Sequence, residues 1–301
     1  MVVVVAGPSA GSREVARGIA QHLEAELVEA YSKSFPDGET YVRVDAEPED
    51  KAIVVQTMSR PQDTSFVQAL LLADALLGLG FQEIVLVAPY TAYARQDKRF
   101  LRGEPVSIAV VLRSLGLAGY KSFYTVEIHK EESLAAFPGK AASISPFLYM
   151  AREIGLDNSY IYLAPDVGAL RRVESLARSL GARYDYLVKR RDRVTGEITI
   201  ETKHLDVKGE KVVIVDDIIS TGGTVSRAAR LLLEQGASQV EVLVAHAVLA
   251  GNAVEKLRSA GVKRVYAGNT LPPVQDSLVS YIDLSPLIAE KLRSEIVGVQ
   301  S

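Results

Sequence analysis

The sequence predicts an α/β protein made of two tandem copies of one unit, each a mostly parallel sheet flanked by helices. Three observations carry this. Short β-branched runs alternate with longer amphipathic stretches, the runs are mostly continuous in apolar residues as strands covered on both faces are, and the pattern recurs at an offset of about 160 residues. The strands are read in order at Val2–Val5, Lys51–Val55, Ile84–Val87, Ser122–Val126, Tyr160–Leu163, Val212–Val215 and Val240–Val244. In the first copy Lys51–Val55 leads through a helix and Gly80 to Glu83–Ala88; in the second, Lys211–Val215 leads through a helix and Gly236 to Val240–Ala245. Upstream, Val5-Ala6-Gly7-Pro8 and the helix through Val15-Ala16-Arg17 pair with Leu163-Ala164-Pro165-Asp166 and Leu176-Ala177-Arg178. The small, polar segment Gly139–Ser145, followed by Pro146, is the expected boundary and divides the chain into domains 1–143 and 144–301. A last helix, Ser285–Val297, opens on a Ser-Pro pair and is expected to pack back on the first domain.

Composition narrows the function. At 301 residues, 48% hydrophobic and 24% charged, the chain is globular, which excludes disordered and fibrous classes. Lys plus Arg number 34 against 37 Asp plus Glu, so no basic excess advertises nucleic-acid binding, and an anionic ligand must be held by local clusters. The absence of cysteine excludes a disulfide framework, a thiolate metal site and a thiol nucleophile. The apolar start ends at Ala6 with no basic region before it, and the longest apolar stretch, Ala69–Phe81, is interrupted by Asp74 and falls short of the roughly 18 residues of a membrane span. A cytoplasmic protein without membrane or nucleic-acid partners is expected.

The chemistry is concentrated in Val212–Thr224: a buried strand, the paired acids Asp216 and Asp217 at its carboxyl end, then Ser220, Thr221, Gly222, Gly223 and Thr224 opening a helix. Loops at this end of parallel strands form the crevice in which α/β proteins bind ligands. Glycines let successive N–H groups curl around an anion, the three hydroxyls can donate to it, and the helix adds its positive end. Two carboxylates beside such a cradle repel a second phosphate but accept hydrogen bonds from neighbouring sugar hydroxyls. The implied ligand is a ribose 5-phosphate moiety. Neither a Walker loop nor a Rossmann fingerprint occurs. The first copy has Gln56-Thr57-Met58-Ser59-Arg60-Pro61-Gln62-Asp63-Thr64 at the equivalent place, without paired acids or glycines, so only the second copy looks built for a phosphorylated ligand.

The run Val212–Thr224 resembles the 5-phosphoribosyl 1-diphosphate motif shared by phosphoribosyltransferases and ribose-phosphate diphosphokinases. Five further segments, Phe35–Glu39, Tyr93–Arg99, Ile128-His129, Pro165–Gly168 and Lys189–Arg191, are similar to signature segments of the diphosphokinases in the same order and cover essentially the whole chain. The resemblance implies two tandem phosphoribosyltransferase-like domains, the first an ATP-side and oligomerisation domain, the second the ribose-5-phosphate domain. It implies transfer of the β,γ-diphosphoryl group of ATP, with Mg2+, to ribose 5-phosphate by a homo-oligomer whose active sites are shared between subunits.

Each segment also has a reading of its own. Phe35–Glu39 in isolation is a Pro-Asp-Gly hairpin loop; the resemblance gives Phe35, Asp37 and Glu39 to the adenine of a neighbouring subunit's ATP. Tyr93–Arg102 alone is a charged, solvated loop beyond a strand; the resemblance gives Arg95 and Gln96 to ATP and makes the stretch to Pro105 a closing loop. A lone histidine after a strand is more often structural, and magnesium prefers oxygen; only the resemblance makes His129 a ligand of Mg-ATP. Asp166 alone is a helix N-cap; the resemblance places it on a divalent cation. Lys189-Arg190-Arg191 alone is a solvated strand edge; the resemblance makes Lys189 and Arg191 catalytic, as cations that stabilise charge developing on a transferred diphosphoryl group.

Three departures from the family pattern stand out: Glu127 where Asp is usual, Ala169 where a second glycine is usual, with a methyl expected to face the phosphates, and Ser220 where Asp is frequent. Ser220 removes an acid beside the phosphate cradle and moves the loop toward the phosphoribosyltransferase version. A nucleobase phosphoribosyltransferase is therefore the second reading, and a non-catalytic homologue the third.

Overall fold

A computed structural model gives the backbone of residues 2–191, 198–202 and 206–297, and the side chains of these other than 189–191, 198–202 and 296–297. The chain divides into two compact units, Met1–Ser145 with Asn269–Pro272 and Asp283–Ser301, and Pro146–Gly268 with Pro273–Ile282.

The first unit contains β1 (Val2–Ala6), α1 (Ser12–Leu23), β2 (Glu26–Glu29), a hairpin of β3 (Tyr31–Ser34) and β4 (Thr40–Arg43), β5 (Lys51–Val55), α2 (Gln62–Leu79), β6 (Glu83–Ala88), α3 (Ser107–Leu117), β7 (Ser122–Val126) and β8 (Lys140–Ile144). Its sheet runs β2-β1-β5-β6-β7-β8 with every pairing parallel. Val3–Val5, Ala52–Val55 and Ile84–Ala88 are buried without interruption, because helices cover both faces of a parallel sheet. Helix α1 buries Val15, Ala16, Ile19 and Ala20, one stripe at helical period.

The second unit contains α4 (Phe147–Glu153), β9 (Tyr160–Ala164), α5 (Leu170–Leu180), β10 (Arg183–Arg191), β11 (Ile198–Thr202), β12 (Lys211–Ile219), α6 (Gly223–Glu234), β13 (Gln239–Ala247), α7 (Ala253–Ser259), β14 (Arg264–Gly268) and β15 (Val279–Ile282). Its sheet order is β11-β10-β9-β12-β13-β14-β15, parallel except for the antiparallel β10–β11 pair. β2-β1-β5-β6-β7-β8 and β10-β9-β12-β13-β14-β15 are the same topology written twice. Strand order reverses beside β1 in one sheet and beside β9 in the other, and the ligand crevice of an open α/β sheet lies at that reversal.

Two connections carry more structure than the sequence announces. The expected boundary segment 139–145 contains a strand: Lys140–Ile144 pairs with β7 in register from Ser122↔Lys140 to Val126↔Ile144. Its small residues suit the edge of the sheet, where Ala141 packs on the core, and the first unit runs on to Ser145 before the chain later returns to it. The last helix is also not uniform: α8 (Ser285–Leu292) is followed by a π-turn over Arg293–Val297. Helix α8 lies against α1, within the first unit. Gly18 permits the close approach, because a Cβ there would lie 2.0 Å from Ser285 Oγ.

Glu295, in the π-turn, accepts from Tyr124 Oη at 2.9 Å, pairs with Lys140 Nζ at 2.7 Å and also pairs with Lys291. Hydrogen bonds from Lys140 and Lys291 hold its carboxyl down at about 2. A depressed carboxyl stabilises the fold above its ordinary value of 4.5 and loses that contribution as pH falls toward 2. Glu295→Gln should therefore flatten the dependence of thermal stability on pH between these limits, as followed by circular dichroism; an unchanged slope would reject the assignment.

Candidate active site

In the second unit the site grows out of the end of β12. Val212–Val215 are fully buried, and Asp216 and Asp217 continue the strand to the crevice edge. Neither acid stands free. One nitrogen of Arg172, Nη1, lies 3.2 Å from Asp216 Oδ1 and 3.2 Å from Asp217 Oδ1, while the Asp217 N–H donates to Asp216 Oδ1 at 2.9 Å. Burial and the charge of Asp217 push the Asp216 carboxyl well above the ordinary carboxylate range, and Arg172 opposes them.

The loop after the acids is shaped by glycine. Gly222 adopts φ +75°, and a Cβ there would come within 3.2 Å of the Ala253 carbonyl oxygen, so both conformation and space require glycine. Gly223 begins α6. The N–H groups of Gly223, Thr224 and Val225 fall in the first turn, where no intrahelical acceptor exists. Ser220 is half-buried, and Thr221 and Thr224 are exposed beside them. N–H groups, hydroxyls and the positive helix end together can hold a phosphate.

Asp166 follows β9 and caps the 3-10 turn Val167–Ala169, its Oδ1 accepting from the Gly168 N–H at 2.8 Å. A cavity of about 440 Å³ is lined by Asp166, Val167, Gly168, Leu187, Thr224 and Arg227 among others. The tertiary fold thus brings the Asp166 loop and the phosphate loop to one cavity. Ala169 departs from expectation: its side chain is buried, with the residue 1% exposed, so the methyl packs inward rather than facing the cavity, and the turn keeps its form without a second glycine. Lys189 and Arg191 close β10; their side chains lie outside the described residues.

Sequence reasoning missed Arg172 and Arg227. Helical period locates each on its own helix but does not join it to the site. Arg172 lies one turn before Leu176 at the edge of the buried stripe Val173, Leu176, Ala177 of α5, and Arg227 lies three residues beyond Thr224 on the same side of α6.

In the first unit the equivalent crevice is filled by the protein's own side chains. Gln56, fully buried, donates to the Ser65 carbonyl at 3.0 Å and to Gln68 Oε1 at 3.1 Å, and accepts from the Ser9 N–H at 3.3 Å. A Cβ on Gly7 would lie 2.0 Å from Gln56 Oε1. Thr57 is tied by its N–H to Ser12 Oγ at 2.9 Å and by its hydroxyl to the Thr270 carbonyl at 2.6 Å.

The remaining sequence-predicted residues of this unit sit on its loops. Phe35–Glu39 is the tip of the β3–β4 hairpin, closed by the Phe35 N–H to Glu39 carbonyl bond at 2.8 Å, with Gly38 at φ +95°. Phe35 and Tyr41 stack edge to face at 6.1 Å, with the Lys33 ammonium 5.0 Å from the Phe35 ring. Arg95 is exposed. The Gln96 amide donates to Glu104 Oε2 at 3.4 Å, and that carboxylate also accepts from the Phe100 and Leu101 N–H groups at 2.8 and 2.9 Å. These backbone bonds lower the Glu104 carboxyl below its ordinary value. His129 is half-buried three residues past β7, after Glu127, which takes a left-handed φ of +34°.

A duplicated 2-1-3-4-5 sheet with paired acids and a Gly-Gly anion loop at one switch point defines the class: a two-domain phosphoribosyltransferase-type protein. Comparison with known proteins agrees. Residues 2–119 match the N-terminal domain of ribose phosphate pyrophosphokinase, and residues 151–274 match the phosphoribosyl transferase domain. The chain is 47% identical to the ribose-phosphate pyrophosphokinase of Aeropyrum pernix, over 96% of each. It is 43% identical to that of Pyrococcus furiosus, over 91% of this chain and 98% of the relative. The crystal structure of phosphoribosylpyrophosphate synthetase from Mycobacterium smegmatis superposes with a TM-score of 0.88 at 28% identity, covering 97% of this chain and 98% of that one. The chain belongs to the ribose-phosphate pyrophosphokinase family. The match over residues 2–119 gives this chain the first domain of that family, which the nucleobase phosphoribosyltransferase reading did not require.

Proposed function

We propose that this chain transfers the β,γ-diphosphoryl group of Mg-ATP to the anomeric hydroxyl of ribose 5-phosphate, yielding 5-phosphoribosyl 1-diphosphate and AMP. The observation that carries the reading is the end of β12, where two carboxylates stand immediately before a Gly-Gly loop that opens a helix. The sugar's phosphate is held by the loop Ser220–Thr224, and its hydroxyls donate to Asp216 and Asp217. Lys189 and Arg191 neutralise charge on the diphosphoryl group as it moves. The anomeric hydroxyl attacks the β-phosphorus in line with the departing AMP oxygen. That oxygen leaves as the new bond forms, and no protein nucleophile intervenes.

Adenine is assigned to Phe35, Asp37 and Glu39, and the rest of ATP to Arg95, Gln96 and His129. An exposed aromatic face and carboxylates suit a ring that stacks and an amine that donates.

The side chains present fit magnesium in a substrate-borne form. Among the described residues no group of three or more carboxylate or histidine side chains converges to cage a cation, and Mg2+ bound with nucleotide phosphates characteristically takes only one or two protein carboxylates. Asp166, exposed at the cavity and oriented by the Gly168 N–H, is such a carboxylate; His129 is assigned separately, from the family resemblance, to Mg-ATP. When bound, the ion neutralises and orients the phosphates. No helix among the described residues is long and apolar enough to cross a membrane.

The test is release of AMP from ATP and ribose 5-phosphate, read by a coupled assay. Turnover of a nucleobase with 5-phosphoribosyl 1-diphosphate, in place of AMP release, would select the phosphoribosyltransferase reading. Absence of both reactions would select a non-catalytic role. We propose further that the hairpin completes the ATP site of a neighbouring subunit. Mixing Phe35→Ala/Glu39→Ala with Asp216→Asn/Asp217→Asn should then restore activity, to about a quarter of parental in an idealised exchanging dimer, since half of each mixed dimer's sites carry neither lesion. Subunit exchange proven by mass spectrometry with no recovered activity would place the adenine contacts within one chain.

A further inference from the structure

We infer that the segment 249–256, which follows β13, is a positioning element of the phosphate site, with Lys256 as its outermost tie. Its hydrogen bonds hold three successive carbonyls, those of Ile219, Ser220 and Thr221, on one side, so that the N–H groups following them turn together toward the sugar's phosphate. This rests on the reading of residues 220–224 as the cradle of that phosphate. In an extended strand successive carbonyls point to opposite edges, so the end of β12, continued as a strand, would offer an anion only alternate N–H groups. An anion nest needs consecutive ones.

The Leu249 N–H donates to the Ile219 carbonyl at 3.0 Å and the Ala250 N–H to the Ser220 carbonyl at 2.8 Å. The Lys256 ammonium, carried by α7, donates to the Thr221 carbonyl at 3.4 Å. These peptides are trans, and a trans peptide sets its N–H opposite to its C=O. The N–H groups of Ser220, Thr221 and Gly222 therefore face away from 249–256, and along the chain they run directly into the first-turn N–H groups of α6. The same segment backs Gly222, whose added Cβ would meet the Ala253 carbonyl oxygen at 3.2 Å. Leu249 is itself held under constraint. It is a non-glycine residue with a left-handed φ of +45°, a conformation that costs energy and persists where the surroundings enforce it, and its side chain is buried in the core of the second unit. Of the three bonds, that of Lys256 is the longest and comes from an exposed residue, so it can be removed without emptying the core.

The experiment is calorimetric binding of ribose 5-phosphate to the full chain, in the parent, Lys256→Met, Lys256→Arg, Glu255→Gln, Ala250→Pro and Thr224→Val, with kcat and the KM of each substrate measured in parallel. Lys256→Met should weaken ribose 5-phosphate by about fivefold, and Lys256→Arg, which keeps a charged donor, should stay within about twofold of the parent. Ala250→Pro removes the N–H from the Ser220 carbonyl without changing any charge and should weaken binding by about 30-fold. In Lys256→Met the KM for ribose 5-phosphate should rise more than kcat falls, while the KM for ATP moves less than about twofold, because only the phosphate loop loses its support.

Lys256→Met changes an exposed residue and decides the matter whether or not Ala250→Pro folds. Unchanged affinity in Lys256→Met overturns the inference. So does an equal rise in the KM of both substrates, which would make the segment a general structural support. If Glu255→Gln, which removes the neighbouring negative charge, tightens binding as much as Lys256→Met weakens it, the lysine acts through its field alone and the positioning role fails. Should Thr224→Val bind ribose 5-phosphate as the parent does, it is the phosphate-loop assignment itself that fails. If Thr224→Val weakens binding and Lys256→Met does not, the failure is confined to the segment 249–256.

Discussion

Replacing Lys189 and Arg191 with Ala, singly, is expected to lower kcat by about two to four orders of magnitude while leaving the KM for ribose 5-phosphate nearly unchanged. The reason is differential. A diphosphoryl group in flight spreads negative charge over its non-bridging oxygens, and fixed cations gain more from that charge distribution than from the ground state. β10 carries both residues at its last positions, beyond its pairing with β9, which ends at Tyr186↔Ala164, and β9 leads into Asp166. The two proposed cations and the proposed metal carboxylate thus belong to the ends of adjacent strands of one sheet. Single-turnover kinetics would separate chemistry from release, and rates within about threefold of the parent would return the cluster to a solvated strand edge.

The second large effect belongs to the paired acids. Asp216→Asn/Asp217→Asn should weaken ribose 5-phosphate by about two orders of magnitude, because each charge-assisted hydrogen bond is exchanged for a neutral one. The Arg172 bridge adds a consequence that the motif alone does not contain. The double variant removes two carboxylates from a guanidinium that is only 12% exposed, and thermal stability should drop by the equivalent of about 1–3 kcal/mol. Calorimetry with the sugar phosphate and a thermal melt of the same sample test both halves. Unchanged affinity together with a lowered melting temperature would make the pair a structural ion cluster rather than a sugar clamp.

Much of this protein was legible in one dimension, for identifiable reasons. The inner strands β1, β5, β6, β7, β9, β12 and β13 were visible because parallel strands buried on both faces are apolar along most of their length, as in Val2–Val5 and Val212–Val215. The duplication was visible because the two copies share strand order, and that order forces similar spacings between strands, helices and glycines. The proposed phosphate loop was visible because its features are local: a left-handed Gly222, a following helix start and hydroxyls within five residues.

What stayed hidden involves residues brought together by packing. The segment at 139–145 carried no strand signal strong enough to oppose its small, polar composition, and only the open edge of β7 makes it β8. Ala169 invited a reading toward the phosphates, whereas the 3-10 turn capped by Asp166 directs its methyl inward. Arg172 lies 44 residues before Asp216 on another element, and no spacing rule connects them.

By itself, then, the sequence determined the α/β class, the repeat, and the place of the proposed anion loop and its acids along the chain, since each depends on contacts between near neighbours or on periodic burial. The tertiary structure alone decided that the first copy's crevice is filled by Gln56 and its partners, that α8 returns to α1, and that Asp216 and Asp217 share one arginine. Hydrogen bonds and ion pairs between distant elements depend on which helix face meets which strand end, and a linear pattern does not specify that meeting.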